Sequence, residues 1–173
     1  MKIVIRKLEE LRGVLFDSRS RGPEEVYRVY RGIGQRDNKV ISVTVMPPGK
    51  IGREFVKTYG HYHQGPGEET YFILYGEATF LLQKQSGRGK IEEVRLVEAR
   101  AGQECLIPEG FGHCLINTGE KAVVAADWES PKIGHVYKEI AERKGMAYFL
   151  LEKEGKVEAV PNPNYGPLPP LKK

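Results

Sequence analysis

The sequence predicts an all-β protein, an antiparallel barrel or sandwich of jelly-roll type with few short helices. The first observation is a series of about ten short segments rich in β-branched and aromatic residues. The second is the scatter of 20 glycines and 11 prolines between those segments as turn residues. The third is the length of 173 residues, which fits one domain of roughly 100–200 residues. A barrel of this type closes its strand edges and leaves a mouth where a ligand can bind.

The N-terminal half supplies most of the predicted strands. They are KIVIR near the N-terminus with a charged helical turn after it, 25–32 (EVYRVYRG), 39–46 (KVISVTVM) and 53–63 (REFVKTYGHYH). The segment QGPG then interrupts the chain. Residues 69–76 and 77–84 follow almost without a gap, as the two strands of a β-hairpin would.

The C-terminal half continues the pattern and adds one helix. Strands are predicted in IEEVRLVEAR, in ECLI before a Pro-Gly turn, and on both sides of an Asn-Thr-Gly turn in HCLINTGEKAVVAADWE. A helix is predicted over 136–144 with Gly145 as its stop, and a hairpin turns at Glu154-Gly155. The Pro-rich tail should lie extended along the surface or be loose. We therefore expect one domain, with an extension over 1–24, a barrel core over 25–135, and helix, hairpin and tail over 136–173.

Composition limits the function classes. Apolar residues make up 40% and charged residues 29% of the chain, which is enough to form a core. No apolar run approaches the roughly 18–20 residues of a membrane span, and the charged N-terminus does not resemble a signal peptide. We expect a cytoplasmic protein with no membrane or nucleic-acid partner, because the net charge of +4 is spread along the chain. Cys105 and Cys114 are too few for a disulfide scaffold or a Cys-rich zinc site.

Three of the four histidines suggest a metal site. His61 and His63 lie two residues apart, so a strand would present both on one face. Glu68 and Glu69 follow after the QGPG break, and His113 begins a later strand. Two histidines, one carboxylate and a third histidine would suit iron, manganese, nickel or zinc. A lone H-x-H pair is more often an ordinary surface or hydrogen-bonded pair, but the concentration of histidines beside carboxylates favours the metal.

Two motifs carry a family resemblance. The first is the H-x-H pair, followed after five residues by Glu69 and after six more residues by Gly76. Phe55, six positions before the first histidine, stands where this motif usually has a glycine. The second is G-x5-P-x-G-x2-H-x3-N. The chain matches all five of its specified positions, with Gly102, Pro108, Gly110, His113 and Asn117. They resemble the two cupin motifs, whose spacing selects Glu69 over Glu68. PGKIGREF, TYGHYH and GHVY extend the resemblance, over about residues 25–162, to the archaeal cupin-type glucose-6-phosphate isomerases.

This resemblance implies a cupin jelly-roll barrel that interconverts glucose 6-phosphate and fructose 6-phosphate in glycolysis and gluconeogenesis. It implies one divalent metal ion held by His61, His63, Glu69 and His113. Iron is the first choice for this ion, and manganese, nickel and zinc are the alternatives. It implies a phosphate site at Thr44, Thr58 and the Gly60 backbone, sugar contacts at Tyr27, Tyr71 and Tyr137, and catalytic roles for Glu69 as base and for His135. A homodimer is expected, since cupins often pair through their sheets. Whether a proton or a hydride moves is left open.

Several alternatives stand beside these assignments. Thr44 alone is an ordinary strand residue, Tyr27 and Tyr71 are ordinary core aromatics, and His135 is as well explained as a capping or surface histidine. Glu129 occupies a position that is often Tyr in the family, and its neighbour Trp128 is a candidate substitute. The chain could also be another cupin metalloenzyme, either a dioxygenase or an isomerase or epimerase of a different sugar phosphate, or a non-catalytic sugar-binding cupin.

Overall fold

The computed structural model of the chain describes residues 1–87 and 89–173. Its strands are β1 (Lys2–Lys7), β2 (Glu25–Arg36), β3 (Lys39–Met46), β4 (Lys50–Ile51), β5 (Glu54–Phe55), β6 (His61–Gln64), β7 (Glu69–Tyr75), β8 (Glu77–Gln85), β9 (Ile91–Arg100), β10 (Glu104–Ile107), β11 (Phe111–Ile116), β12 (Val123–Glu129), β13 (Gly134–Val136), β14 (Tyr148–Lys153), β15 (Lys156–Pro161) and β16 (Leu171–Lys172). The helices are α1 (Leu8–Leu11), a 3₁₀ turn over Arg12–Val14, and α2 (Lys138–Glu142). Neither α-helix has the length and apolar character needed to cross a bilayer.

The strands form two large sheets and one small one. The front sheet has the order β1-β2-β3-β12-β7-β10, and the back sheet has the order β13-β6-β11-β8-β9-β16. A small third sheet has the order β15-β14-β5-β4. The predicted all-β class is therefore confirmed, and the jelly-roll arrangement follows from sheets that exchange consecutive strands along the chain.

The front and back sheets pack face to face around one core. Strand β3 shows how the front sheet contributes side chains to this core. Its residues Ser42, Thr44 and Met46 are buried, while the residues between them are only partly buried. The largest fully buried side chains are Phe80, Leu11, Met46, Ile51, Ile73, Leu81, Leu82, Ile107, Leu115, Ile140, Met146 and Leu150. They come from all three sheets, from both α-helices and, in the case of Met146, from the segment that follows α2.

One predicted connection is wrong. Strands β7 and β8 do not form a hairpin, since β7 pairs with β10 and β12 in the front sheet while β8 pairs with β9 and β11 in the back sheet. Gly76 is the single residue between them and has a φ of +79°. A Cβ there would lie 2.2 Å from the carbonyl oxygen of Ala122. Gly76 therefore makes the corner at which the chain passes from one sheet to the other.

Three further predictions need correction. The segment 53–63 is not one strand, because β5 ends at Phe55 and β6 begins only at His61. The helix predicted over 136–144 is shorter, since Val136 ends β13 and α2 covers only Lys138–Glu142. The structure also has more strands than the expected ten, because two-residue strands such as β4 and β16 are too short to show a pattern.

The chain ends and the last motif position help to hold the barrel. Strand β1 pairs with β2, and the Pro-rich tail runs along the back sheet, where β16 pairs in parallel with β9. The hairpin predicted at Glu154-Gly155 joins β14 and β15 as expected. Asn117 is fully buried, donates to the carbonyl oxygens of Met46 and Lys121, and accepts from the N–H of Gly119. Asn117 therefore closes the turn that leads the chain from β11 back to the front sheet.

Candidate metal centre and adjoining pocket

The back sheet brings the four histidines together. In β6, His61 lies opposite His113 of β11, and His63 lies opposite His135 of β13. All four alternate onto the inner face, where the ring centroids of His61 and His113 are 4.5 Å apart and those of His61 and His135 are 4.2 Å apart. The H-x-H spacing and the strand register therefore place the imidazoles in one cluster, as the sequence predicted.

The front sheet supplies the carboxylate. Glu69 begins β7, is 2% exposed, and points across the barrel toward the histidines. Its Oε2 lies 3.1 Å from Nε2 of His113 and 3.3 Å from Nε2 of His63. Glu68 is exposed, so the residue that the motif spacing selects is also the one that faces the histidines.

The residues present fit a metal ion. One ligand atom from each of His61, His63, Glu69 and His113 lies within 4.8 Å of the others. Ligands on opposite sides of an ion with bonds of about 2.0–2.2 Å would lie about 4 Å apart. The buried atoms without a hydrogen bond to any described residue include His61 Nε2, His63 Nδ1, His63 Nε2, Glu69 Oε2 and His113 Nδ1. An unpartnered buried polar atom costs about 1–3 kcal/mol, so this cluster is built for a ligand that satisfies these atoms.

The surroundings favour the metal-binding protonation states of two candidate ligands. Burial lowers the pKa of His61 well below its ordinary value, and the neighbouring His113 and His135 lower it further. Burial alone would raise the pKa of Glu69, but the imidazoles of His113 and His63 beside its Oε2 outweigh it and lower that pKa. Neutral imidazole and ionised carboxylate are the forms that bind metal.

A pocket opens beside this cluster. It is lined by the predicted substrate and catalytic residues Tyr27, Thr44, Thr58, Gly60, Tyr71, His135 and Tyr137, together with His61 and Glu69. His63 and His113 lie behind this wall, with side chains only 2% exposed. The structure thus brings every residue singled out for the site into one place, between the two sheets.

The segment that precedes His61 is held by backbone and side-chain contacts. The N–H of Thr58 donates to the carbonyl of Leu115 at 2.8 Å, and the Oγ1 of Thr58 accepts from the N–H of Leu115 at 3.0 Å. Gly60 has a φ of +84°, and a Cβ there would come within 3.0 Å of the sulfur of Met146. A glycine is therefore required at the point where the backbone turns toward the pocket.

Two tyrosines of the front sheet act as neutral hydroxyl groups. Burial raises the pKa of Tyr27 to about 12, and burial together with the charge of Glu69 raises the pKa of Tyr71 well above its ordinary value. The hydroxyl of Tyr71 lies 3.3 Å from Nε2 of His113. Both phenols stay protonated at neutral pH and are available to hydrogen-bond a ligand.

Glu129 faces the pocket, whereas Trp128 does not. The carboxylate of Glu129 lies 2.8 Å from Nε2 of His135, and both side chains are 16% exposed. Trp128 alternates to the opposite face of β12, where Arg36 stacks over its ring. The suggestion that Trp128 substitutes for the family's tyrosine is therefore wrong. Together with His63, Glu129 and His135 also form a second possible ligand group.

Some pocket residues were missed at the sequence level. They are Val29, Arg31, Ser42, Tyr59 and Asp127. Ser42 and Arg31 could have been found by alternation, since they share the strand faces of Thr44 and Tyr27. Asp127 needed the strand register, which puts it opposite Ser42 and Tyr71. Burial and the charges of Glu69 and Glu129 raise the pKa of Asp127 well above its ordinary value, and Arg31 partly opposes this effect.

The fold and the histidine–glutamate cluster define the class of protein, a cupin whose inner cluster could hold a metal ion. A solved structure of oxalate oxidase in complex with the substrate analogue glycolate shares the fold, with a TM-score of 0.50 and 18% identity over 64% of this chain and 54% of that chain. Residues 6–167 match the family described as glucose-6-phosphate isomerase (GPI). The chain belongs to this family.

Individual relatives agree with this assignment over nearly the whole chain. A glucose-6-phosphate isomerase of Thermococcus litoralis is 34% identical over 93% of this chain and 86% of its own length. One of Pyrococcus abyssi is 31% identical over 95% of this chain and 88% of its own length. The resemblance drawn from the motifs is therefore confirmed.

Proposed function

We propose that this chain is a metal-dependent aldose–ketose isomerase that interconverts glucose 6-phosphate and fructose 6-phosphate. The observation that carries the proposal is the cluster of His61, His63, Glu69 and His113 at the head of a pocket lined with hydroxyl groups. The family and its relatives support the same activity. The reaction moves one hydrogen between C1 and C2 of the sugar, and it belongs to glycolysis and gluconeogenesis.

The four ligands would hold one divalent ion, which polarises the two sugar oxygens at C1 and C2 as a Lewis acid when bound. Imidazole and carboxylate donors without thiolate suit iron, manganese, nickel or zinc, and we propose iron first. Thr44, Thr58 and the backbone of Gly60 line the pocket and would bind the phosphate through hydroxyl and N–H donors. Tyr27, Tyr71 and Tyr137 would hydrogen-bond or pack against the sugar.

Two groups compete for the role of base. Glu69 lies close to the reacting carbons in this arrangement, but its lowered pKa makes it a weak base and suits it to the role of ligand. His135 lines the pocket, and its Nε2 is paired with the Glu129 carboxylate at 2.8 Å. We propose that Glu129 holds a proton at Nε2 of His135, which orients the ring for ring opening or proton transfer at the sugar.

The other cupin activities are not favoured. A dioxygenase, an isomerase or epimerase of another sugar phosphate, and a non-catalytic sugar-binding cupin all fit a cupin barrel in general. The relatives that cover 93–95% of this chain, however, are named for glucose-6-phosphate isomerase. Their coverage includes both motifs and the His135 segment, which a shared barrel alone would not require.

Metal content and isomerase activity test the proposal together. The purified protein is loaded with Fe²⁺ without oxygen, or with Mn²⁺, Ni²⁺ or Zn²⁺, and formation of glucose 6-phosphate from fructose 6-phosphate is followed. We expect turnover in the loaded protein, and loss of both bound metal and turnover in His61→Ala, His113→Ala and Glu69→Gln. Glu68→Gln is the matched control, because Glu68 is exposed, and it should keep both. Turnover of other sugar phosphates but not of this pair would contradict the substrate, and full metal content in the three variants would contradict the ligands.

A homodimer through the outer face of the front sheet is the assembly that we propose. Antiparallel sheets with one solvated face usually carry polar residues there. The outer face here is instead formed largely by apolar residues: Ile3, Ile5, Tyr30, Ile41, Val43, Val45, Phe72, Leu74, Leu106, Val124, Ala126 and Trp128. Ile3, Leu74 and Leu106 are 51%, 50% and 48% exposed. A second copy of the same face would cover them in a two-fold arrangement.

We also propose a cytoplasmic location. Cys105 and Cys114 are both free and buried, which is typical of proteins from a reducing compartment. Burial raises the pKa of each thiol to about 12, so both residues act as core fillers rather than as reactive groups.

A further inference from the structure

The pocket contains an arginine whose charge no described residue satisfies. Arg31 lines the pocket from β2 and makes no hydrogen bond or ion pair with a described residue, and its Nε is buried. It is the one permanent positive charge among the described residues that line this pocket. An unpaired guanidinium aimed into a polar pocket is suited to an anionic ligand.

A β-bulge sets the position of Arg31. The register of β2 and β3 pairs Tyr30 with Val43 and then Gly34 with Ile41, so the three residues 31–33 lie opposite the single residue Ser42. Gly32 inside this bulge has a φ of +66° and nothing within 4 Å of the place of a Cβ. Glycine is therefore used there for its backbone conformation and not for space. Bulges of this kind redirect a neighbouring side chain, here that of Arg31.

Asp127 is the complementary group. It is 5% exposed and lines the same pocket. Its carboxyl group accepts no hydrogen bond from another described side chain, and none from a described backbone group outside the front sheet. The register places it directly opposite Ser42 on one side and Tyr71 on the other. A carboxyl group in this position hydrogen-bonds a ligand hydroxyl as an acceptor, and as a donor when it is protonated.

The strand order and register arrange these groups in neighbouring rows. From the metal cluster outward, the front sheet runs β7, β12, β3 and β2, and one row across these strands holds Tyr71, Asp127, Ser42 and Arg31. Glu69 lies one row to one side of it and Thr44 one row to the other side. Neighbouring strands are about 4.8 Å apart, so β7 and β2 are separated by roughly 14 Å. An extended sugar phosphate with its carbonyl end at Glu69 would have its middle hydroxyls over β12 and its phosphate toward β3 and β2.

We propose that Arg31 pairs with the substrate phosphate and that Asp127 binds a hydroxyl group in the middle of the sugar, so that the two residues fix which end of the substrate faces the metal cluster. The proposal rests on the proposed function, because it takes a phosphorylated sugar as the ligand. Arg31 and Asp127 are thus specificity-determining residues in addition to the hydroxyl and backbone donors.

Binding of two stable ligands separates the two roles without turnover. Sorbitol and sorbitol 6-phosphate are titrated by calorimetry into metal-loaded protein, and the ratio of their dissociation constants measures the contribution of the phosphate. Charge-assisted hydrogen bonds imply a loss of about ten- to hundredfold when Arg31 is removed. We expect Arg31→Gln to lower the ratio by that factor while sorbitol binding changes little, and Arg31→Lys to recover part of it. Asp127→Asn should weaken both ligands alike and leave the ratio at or above the wild-type value.

Controls keep the outcome interpretable. Arg19→Gln removes an arginine whose side chain is 94% exposed, and it should leave both dissociation constants at their wild-type values. Metal content and melting temperature show that each variant is folded. For fructose 6-phosphate, Arg31→Gln should raise KM more than it lowers kcat. If the wild-type enzyme turns over this substrate but Arg31→Gln keeps the wild-type ratio and KM, the inference fails alone. A folded wild-type protein that binds neither phosphorylated ligand would overturn the proposed function with it.

Discussion

His61 shows how a residue's surroundings prepare it for its role. It is packed between His113 and His135, and burial and these neighbours lower its pKa well below the ordinary value of 6.5. The imidazole therefore stays neutral in the folded chain at a pH where an unfolded chain would bind a proton. The same cluster lowers the pKa of Glu69 below 4.5. Both effects favour metal binding and disfavour the folded state in acid.

We therefore predict that the metal-free protein loses stability as the pH falls below 6.5. The unfolded chain binds a proton at His61 that the folded chain does not, so the free energy of unfolding should fall by up to about 1.4 kcal/mol per pH unit from this residue. Glu69 adds to the loss below pH 4.5, since its folded pKa is also lowered. Urea denaturation of chelator-treated protein between pH 7.5 and 5 measures the slope. His61→Gln should flatten it, and equal slopes in the two proteins would refute the explanation.

At the scale of single elements, Lys57 and Glu54 tie the N-terminal segment to the barrel. Their side chains are 3% and 2% exposed, and Nζ of Lys57 lies 2.6 Å from Oε1 of Glu54. Lys57 also donates to the carbonyl of Val14, and Glu54 accepts from the N–H of Phe16. These contacts fix the segment after α1 beside β5, directly before Thr58 and the metal-binding strand.

Removing one member of this buried pair should be costly. We predict that Lys57→Met, which leaves Glu54 buried and uncompensated, lowers the free energy of unfolding by about 3–5 kcal/mol. The double variant Lys57→Met/Glu54→Leu should lose less, because no buried charge remains. Lys50→Met is the control, since the Lys50–Glu152 pair is half-exposed and worth about 1 kcal/mol or less. Urea denaturation compares the four proteins, and a double variant less stable than Lys57→Met would contradict the account.

The elements show which parts of the fold a sequence can predict. Strand β3 has the predicted bounds, and the hairpin at Glu154-Gly155 is correct, because alternation and turn residues are local signals. The pairing of β7 with β8 was wrong because sheet membership depends on distant strands. One signal was available: a single residue, Gly76, is too short for the usual two-residue hairpin loop.

The candidate site shows the same division. The motif spacing predicted four metal ligands, and the structure brings their side chains together, since spacing within a strand fixes the face. Arg31 shares the strand face of Tyr27, so alternation could have indicated it, but Asp127 was missed because its position depends on the register of β12 with two neighbours. Such long-range features leave no local pattern in a single sequence.

At the scale of the whole molecule, the apolar outer face of the front sheet is the proposed dimer interface. We predict that the protein is a dimer and that Leu74→Lys or Leu106→Lys makes it a monomer, because a charge would be buried at the interface. Sedimentation velocity measures the mass. Trp128 lies on this face and is the sole tryptophan, so its emission should shift to longer wavelength when the dimer separates.

Val157→Lys is the matched control for assembly. Val157 is 49% exposed but lies on β15 in the small sheet, away from the proposed interface. It should leave the dimer intact. A wild-type monomer at micromolar concentration, or dimers in both leucine variants, would show that this face has another role.

The position of the metal ion tests the central claim most directly. Crystals of protein loaded with metal and soaked with fructose 6-phosphate would locate the ion by anomalous diffraction and the sugar by difference electron density. We predict one ion within bonding distance of His61, His63, Glu69 and His113, the C1 and C2 oxygens of the sugar facing it, and the phosphate toward Thr44 and Arg31. An ion held instead by His63, Glu129 and His135, or a sugar bound outside this pocket, would contradict the account.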